Sequence, residues 1–203
     1  MVMAKSANLL LSGKELQLVS DESWIRMKES ILEKVVGILG KLPEMIKACM
    51  LDNLPGFETI CITSPKISRG ERYQGLPYLI LDYPREFGKE DVFALRTMFW
   101  WAHDFSIHLQ LSGKFRKLFE ESLIRNFSRY KEDLRLCINE DPWQHDMGES
   151  NYLALTEIGE QKVVELLRNH PFIKIAVTIP LKQWNDLNEN FAEGYRKICG
   201  LLA

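Results

Sequence analysis

The octet DFSIHLQL, Asp104 to Leu111, alternates without a break: Phe105, Ile107, Leu109 and Leu111 are apolar, and Ser106, His108 and Gln110 between them are polar. A period of two belongs to a strand with one face buried. The preceding run VFALRTMFWW, Val92 to Trp101, mixes helix formers with β-formers, and its place among strand signals assigns it as a strand too. In a hairpin, directly opposed residues share a face. Core positions Phe99 and Trp101 must then oppose odd-numbered residues of the second strand, which excludes a two-residue turn at His103-Asp104. A three-residue loop, Ala102 to Asp104, satisfies the rule. It sets Trp101 opposite Phe105, Phe99 opposite Ile107 and Thr97 opposite Leu109. The other face carries Trp100 beside Ser106, Met98 beside His108 and Arg96 beside Gln110.

Helices and further strands surround this hairpin. Residues 9–19 read as a short extended lead-in. Ser20, Asp21 and Glu22 start a helix, and Trp24, Met27, Ile31, Val35, Ile38 and Leu42 form its apolar stripe. Pro43 breaks or kinks it, leaving Glu44 to Leu51 as a second piece. Leu54 to Ser64 reads as a turn and a strand, Ser64 to Gly75 as a polar loop, and Leu76 to Pro84 as a strand ended by its proline. Phe115, Phe119, Leu123, Phe127, Tyr130 and Leu134 mark the clearest helix. Residues 139–161 hold six acidic side chains and no Lys or Arg, which reads as a solvated loop. Thr156 caps a helix reaching about Asn169, FIKIAVTI is a strand, and Pro180 opens a last helix that buries Trp184, Leu187, Phe191, Tyr195, Ile198 and Leu202. Strands run together without strict βα alternation. The expectation is a single α+β domain over residues 1–203: an antiparallel sheet of four to six strands with helices packed against it.

Composition narrows the setting. At 46% hydrophobic and 27% charged, 203 residues can bury a real core. Lys plus Arg is 26 and Asp plus Glu is 28, so the balance demands neither nucleic acid nor an anionic membrane as partner. No apolar run reaches the ~20 residues that span a bilayer, and the leading MVMAKSANLLLSG lacks the length and cleavage site of a signal peptide. Cys49, Cys61, Cys137 and Cys199 form no C-x-x-C pair and sit among apolar residues. They read as free thiols in a reducing cytoplasm.

Several stretches suggest chemistry, and each has a plainer explanation. His103-Asp104 and His145-Asp146 resemble the HD pair of metal-dependent phosphohydrolases, but those enzymes are helical and need further ligands at helical spacing. Polar loop and sheet-face roles explain the same letters. Nine of the 21 aromatics fall between Tyr73 and Phe105, mostly as core, yet Trp100 and Trp101 lie on opposite faces of any strand. Trp100 shares its face with Arg96, Ser106 and His108, a set that can stack on and hydrogen-bond a planar or anionic ligand, unless another element covers it and a carboxylate pairs Arg96. KISRGERYQG gathers Lys66, Arg69 and Arg72 around Gly70 and could hold an anion, although its spacing fits no phosphate-binding loop. The basic helix after Lys114 carries i,i+4 pairs at Lys117–Glu121, Glu121–Arg125 and Arg129–Asp133, a salt-bridged surface and not a nucleic-acid stripe. YLALTEIGEQKVVELL resembles the wing-to-helix junction of winged-helix repressors, without a recognition helix before it. No nucleophile stands next to a credible base.

GERYQGLPYLILDYPR and FWWAHDFSIHLQLSG resemble segments of a small bacterial family of uncharacterised hypothetical proteins. The resemblance covers about a quarter of the chain and implies no activity, cofactor, metal or catalytic residue. The functional expectation is a non-catalytic binding or interaction protein. Its site would be Arg96, Trp100 and His108, rimmed by Arg69, Arg72 and Tyr73, with an anionic small molecule or a protein as partner. The alternative is an enzyme acting on a phosphorylated or anionic small molecule, with His103, Asp104 or His145 moving a proton or holding a metal. Self-association through the aromatic surface is a third reading. An open cleft of convergent carboxylates and histidines favours the enzyme; a covered face or an exposed apolar patch favours the interaction protein.

Overall fold

A computed structural model describes residues 9–54 and 63–203. Its centre is a seven-stranded sheet, every pairing antiparallel. The strands are β1 (Lys66–Tyr73), β2 (Leu76–Phe87), β3 (Val92–Trp100), β4 (Asp104–Ser112), β5 (Arg135–Cys137), β6 (Tyr152–Ala154) and β7 (Phe172–Pro180). Their spatial order is β1-β2-β3-β4-β7-β5-β6, a meander of four extended by the chain's last strand and a short pair. Among the described residues five helices accompany them: α1 (Gly13–Val19), α2 (Glu22–Asn53), α3 (Gly113–Tyr130), α4 (Glu160–Asn169) and α5 (Leu187–Leu202). The fold is α+β, with one strand more than the sequence suggests.

The odd-numbered residues of β3, β4 and β7 build one face, as alternation predicts. Leu79, Phe93, Leu95, Phe99, Phe105, Ile107, Leu109 and Ile175 are all buried there. Over them pack Leu39 and Ile46 of α2, Phe119 and Leu123 of α3, and Phe191 and Ile198 of α5. Thr97, a polar residue on this face, meets the buried Tyr195 hydroxyl at 2.6 Å. Each hydroxyl thereby gains the partner that burial requires.

Several local expectations are corrected. Residues 9–19 are not extended throughout: α1 forms behind a capping box in which Ser12 and Glu15 exchange hydrogen bonds. Pro43 does not break α2, whose 32 residues run through it, because Leu39, Leu42 and Ile46 anchor both sides of the proline in the core. The Ser64–Gly75 loop is mostly β1, a charged edge strand of the kind that resists further pairing. Its turn is Gln74-Gly75, both at positive φ, which suits a two-residue hairpin. β2 continues past Pro84 through a register shift between Asp82 and Arg85. Most of the strand expected at residues 54–64 lies outside the described residues.

The hairpin keeps its three-residue loop, but the loop is Trp101–His103 and the register moves by two. Phe99 opposes Phe105, Thr97 opposes Ile107 and Arg96 opposes His108. Trp101 leaves the ladder to meet Trp24 and Phe99 edge-on, and Ala102 turns the chain at φ 65°. Thr156 does not cap α4. Gly159 precedes that helix, since residues 152–154 are still paired as β6. α3 ends at Tyr130, a 3-10 turn at Leu181–Asp186 precedes α5, and Arg116–Glu120, Glu121–Arg168 and Asp133–Lys197 form ion pairs in place of those expected.

A buried polar face under a strap

The even-numbered residues of the same strands form the second face. Residues 138–151 lie across it as a strap, where a solvated loop was expected; His145 and Asn151 are buried, as is Tyr152 at its end. Two turns shape the strap: Asp141 accepts from the Trp143 backbone N–H at 2.9 Å, and Asp146 from that of Gly148 at 3.2 Å. The Asn151 side-chain amide donates to the Asp146 carbonyl at 2.7 Å. Tyr73, at the end of β1, pins the middle. Its hydroxyl oxygen accepts from the backbone N–H groups of His145 and Asp146 at 2.6 and 2.9 Å. The acidic residues of this stretch thus partly serve its own turns, which explains why acidity misread it as solvated.

Beneath the strap the polar side chains form one network. Asp82 holds Arg96 by two contacts, Nε to Oδ1 at 2.7 Å and Nη2 to Oδ2 at 3.0 Å. The third nitrogen, Nη1, points at His145 Nε2, 2.7 Å away. His145 Nδ1 lies 3.1 Å from Lys174 Nζ, which donates to the carbonyls of Pro142 and Gln144 at 2.7 and 2.5 Å. On β4, His108 meets Tyr152 Oη and Ser106 Oγ, each at 2.9 Å, and its ring lies edge-on to that of His145. Trp143 covers the Arg96 guanidinium from the strap side, 5.6 Å to the ring centre.

Burial decides the protonation states here. It drives His108 and His145 well below the usual imidazole range, with the charge of Lys174 as the next cause. It pushes the Lys174 amine down to about 7 and holds the Tyr152 phenol well up. At the hairpin tip, burial raises Asp104 to about 6, against the opposing pull of His103 and Arg135.

The structure brings Arg96, Trp100 and His108 onto one face, with Arg96 and His108 directly opposed. Tyr73 joins them, its ring 5.1 Å from that of Trp100. Arg69 does not join them. It opposes Leu79, on the helix side of the sheet, and is held by Glu29 of α2 and by Glu71. Arg72 is exposed near the β1–β2 turn. His103 stacks on Trp100 at 3.5 Å between ring centres, whereas His145 sits over Arg96, four residues further back along the strand. His103-Asp104 and His145 therefore do not converge. Among the described residues no group of three or more His, Cys, Asp or Glu side chains is placed to hold a metal ion.

Lys174 is the residue that sequence reasoning missed. Its signal was present: a lysine in the third position of the otherwise apolar strand FIKIAVTI, where only an internal partner makes burial tolerable.

No family model matches this chain, and neither the curated proteins nor the solved structures contain a match for it. No helix among the described residues is long and apolar enough to cross a membrane.

Proposed function

We propose that this chain is a non-catalytic interaction protein and that it docks through its N-terminal arm, α1 and the first turns of α2. The carrying observation is where the exposed apolar side chains lie. Of the fifteen large apolar residues exposed among those described, nine fall within residues 9–27, from Leu9 at 89% and Leu10 at 82% to Met27 at 61%. The apolar stripe of α2 runs on past the body of the protein. Leu32 is its first buried residue, while Trp24 and Met27, expected in the core, face solvent. Nine such side chains expose area on the order of the ~800 Å² that one partner gives to a standard interface. That exceeds the few hundred Å² of apolar patch typical of a monomer.

The surface is also shaped. Leu11, Leu18, Val19, Trp24 and Ile25 line a shallow groove of about 400 Å³. Trp24 meets Trp101 edge-on, and Trp101 with Ile31, Phe99, Leu181 and Trp184 lines a second one of about 240 Å³. A second copy of this chain fits such a surface. Lys14 and Arg26 stand against Glu15, Asp21 and Glu22 along residues 9–27, a net charge of only -1, so little repulsion opposes the meeting of two copies. Sedimentation velocity from micromolar to near-millimolar protein tests this. The expected result is a dimer that Leu18→Glu and Ile25→Glu, both at exposed positions, convert to a folded monomer. A wild type that stays monomeric throughout removes the second copy as the partner.

A second reading, an anionic ligand on the Arg96–His108 face, is favoured by the cations gathered there. It requires the strap to lift.

A further inference from the structure

The hydrogen-bond count around His145 leaves one consistent assignment. Arg96 Nη1 is always a donor, so His145 Nε2 at 2.7 Å must accept. A neutral imidazole that accepts at Nε2 carries its proton on Nδ1. That N–H needs an acceptor, and the atom facing it is Lys174 Nζ. A neutral amine has one lone pair and two N–H groups. Nζ has three partners here: the Nδ1–H, and the two carbonyls of Pro142 and Gln144 to which it donates. An ammonium would have no lone pair to offer. His145 would then have to accept at Nδ1 and turn an Nε2–H against the Arg96 donor.

We propose that the His145 ring occupies an anion-binding site of its own chain: protonation of Lys174 expels the ring with its strap, and a carboxylate or phosphate group takes its place between Arg96 and Lys174. Asp82 grips Nε and Nη2 of Arg96 and leaves Nη1 free to present a donor to whatever fills the ring's position. The ring meets Arg96 and Lys174 through its two nitrogens. Two oxygens of a carboxylate or phosphate offer the same two-point contact, with charges that an imidazole lacks. Charge balance points the same way. With Lys174 neutral, Arg96 and Asp82 cancel beneath the strap; with Lys174 charged, one positive charge is left buried and unpaired, which is costly.

The groups facing this amine come from every surrounding element. Arg96 on β3 and Asp82 on β2 stand behind His145, while Gln110 opposes Lys174 from β4, where His108 also lies. Cys137 on β5, Tyr152 on β6, and Asp141 and Asp146 of the strap complete the shell, with Tyr73 holding the strap from β1. Burial outweighs the rest and holds the amine at about 7 against an ordinary 10.5; Cys137 and the two aspartates favour the ammonium and Arg96 opposes it. Opening restores the ordinary value. The open-to-closed ratio therefore rises about tenfold for each pH unit of acidification between those limits, and stops changing below them.

Amide hydrogen exchange of the strap tests the proposal. It is measured at pH 9.5 and 7.5 on the whole chain, corrected for intrinsic rates, with and without inorganic phosphate. The His145, Asp146 and Asn151 amides should open about a hundredfold more often at the lower pH. Phosphate should increase opening further, by a similar factor at both pH values because the opened amine is charged at both, and Lys174→Met should lose the pH response and the phosphate response. Nitrogen NMR of the wild-type ring at pH 9.5 should show the Nδ1–H tautomer, which needs no variant. An Nε2–H tautomer, pH-independent opening, or a strap indifferent to phosphate at pH 7.5 would each overturn the proposal.

Discussion

Tyr195 and Asp104 illustrate the two ways a polar group sits in this protein. The Tyr195 hydroxyl is buried in the main core with Thr97 as partner. Tyr195→Phe strands the Thr97 hydroxyl there, and chemical denaturation should show a loss of about 1–3 kcal/mol, the cost of an unsatisfied buried group. Tyr195→Phe with Thr97→Val removes both hydroxyls and should recover much of that loss. Asp104 has no such partner and is held up at about 6 by burial. The sign follows from linkage: between about pH 4 and 6 the folded state holds the proton that the unfolded state has released, so stability from this group falls as pH rises through that window. Asp104→Asn should therefore raise the melting temperature at pH 7 and change it little at pH 4. Alternation alone placed Trp100 and His108 on the face opposite Phe105. It could not give the rings that meet them, because His145 reaches His108 from 37 residues further along the chain and Tyr73 reaches Trp100 from another strand, contacts that no local pattern encodes.

At the level of elements, the legible ones were those with a single apolar period. β4, α3 and α5 carry such a period, while β3 and β7 were placed by their β-forming residues and their neighbours, and the sequence places all five. β1 escaped because it is an edge strand whose one large exposed apolar residue is Ile67; charge there protects the edge and hides the strand. The strap escaped for a related reason, since side chains that look solvated are committed to its own turns. The hairpin register was off by two because parity fixes faces but not loop position; Trp101 chose its aromatic neighbours over the ladder. The β4-to-α3 junction offers a test at this scale. Gly113 has φ 55°, and an added Cβ would lie 2.1 Å from Asp91 Oδ1, the oxygen that accepts the Lys114 N–H. Gly113→Ala should destabilise by more than the ~1 kcal/mol of a left-handed alanine, because it also displaces this cap. Asp91→Ala should lose the cap alone, a smaller effect by the same denaturation assay.

For the whole molecule, the two faces of the sheet divide the work. One carries the helices and the core. The other is closed by a strap whose polar side chains bond to the sheet beneath, so among the described residues no open cleft of acids and histidines presents itself there. Among the described residues most of the exposed large apolar side chains lie on the arm, where the α2 stripe outruns the body that should bury it. The proposal of docking rests on that uncovered arm. The measurement that tests it most directly is hydrogen exchange of residues 13–27 at low and high protein concentration, which locates an interface as well as detecting one. Docking through the arm predicts that these amides, exposed on an arm that buries none of its own side chains, slow markedly as concentration rises, while the β3 and β4 amides do not change. Exchange in the arm that is fast and equal at both concentrations, in a protein whose arm remains helical, would contradict it.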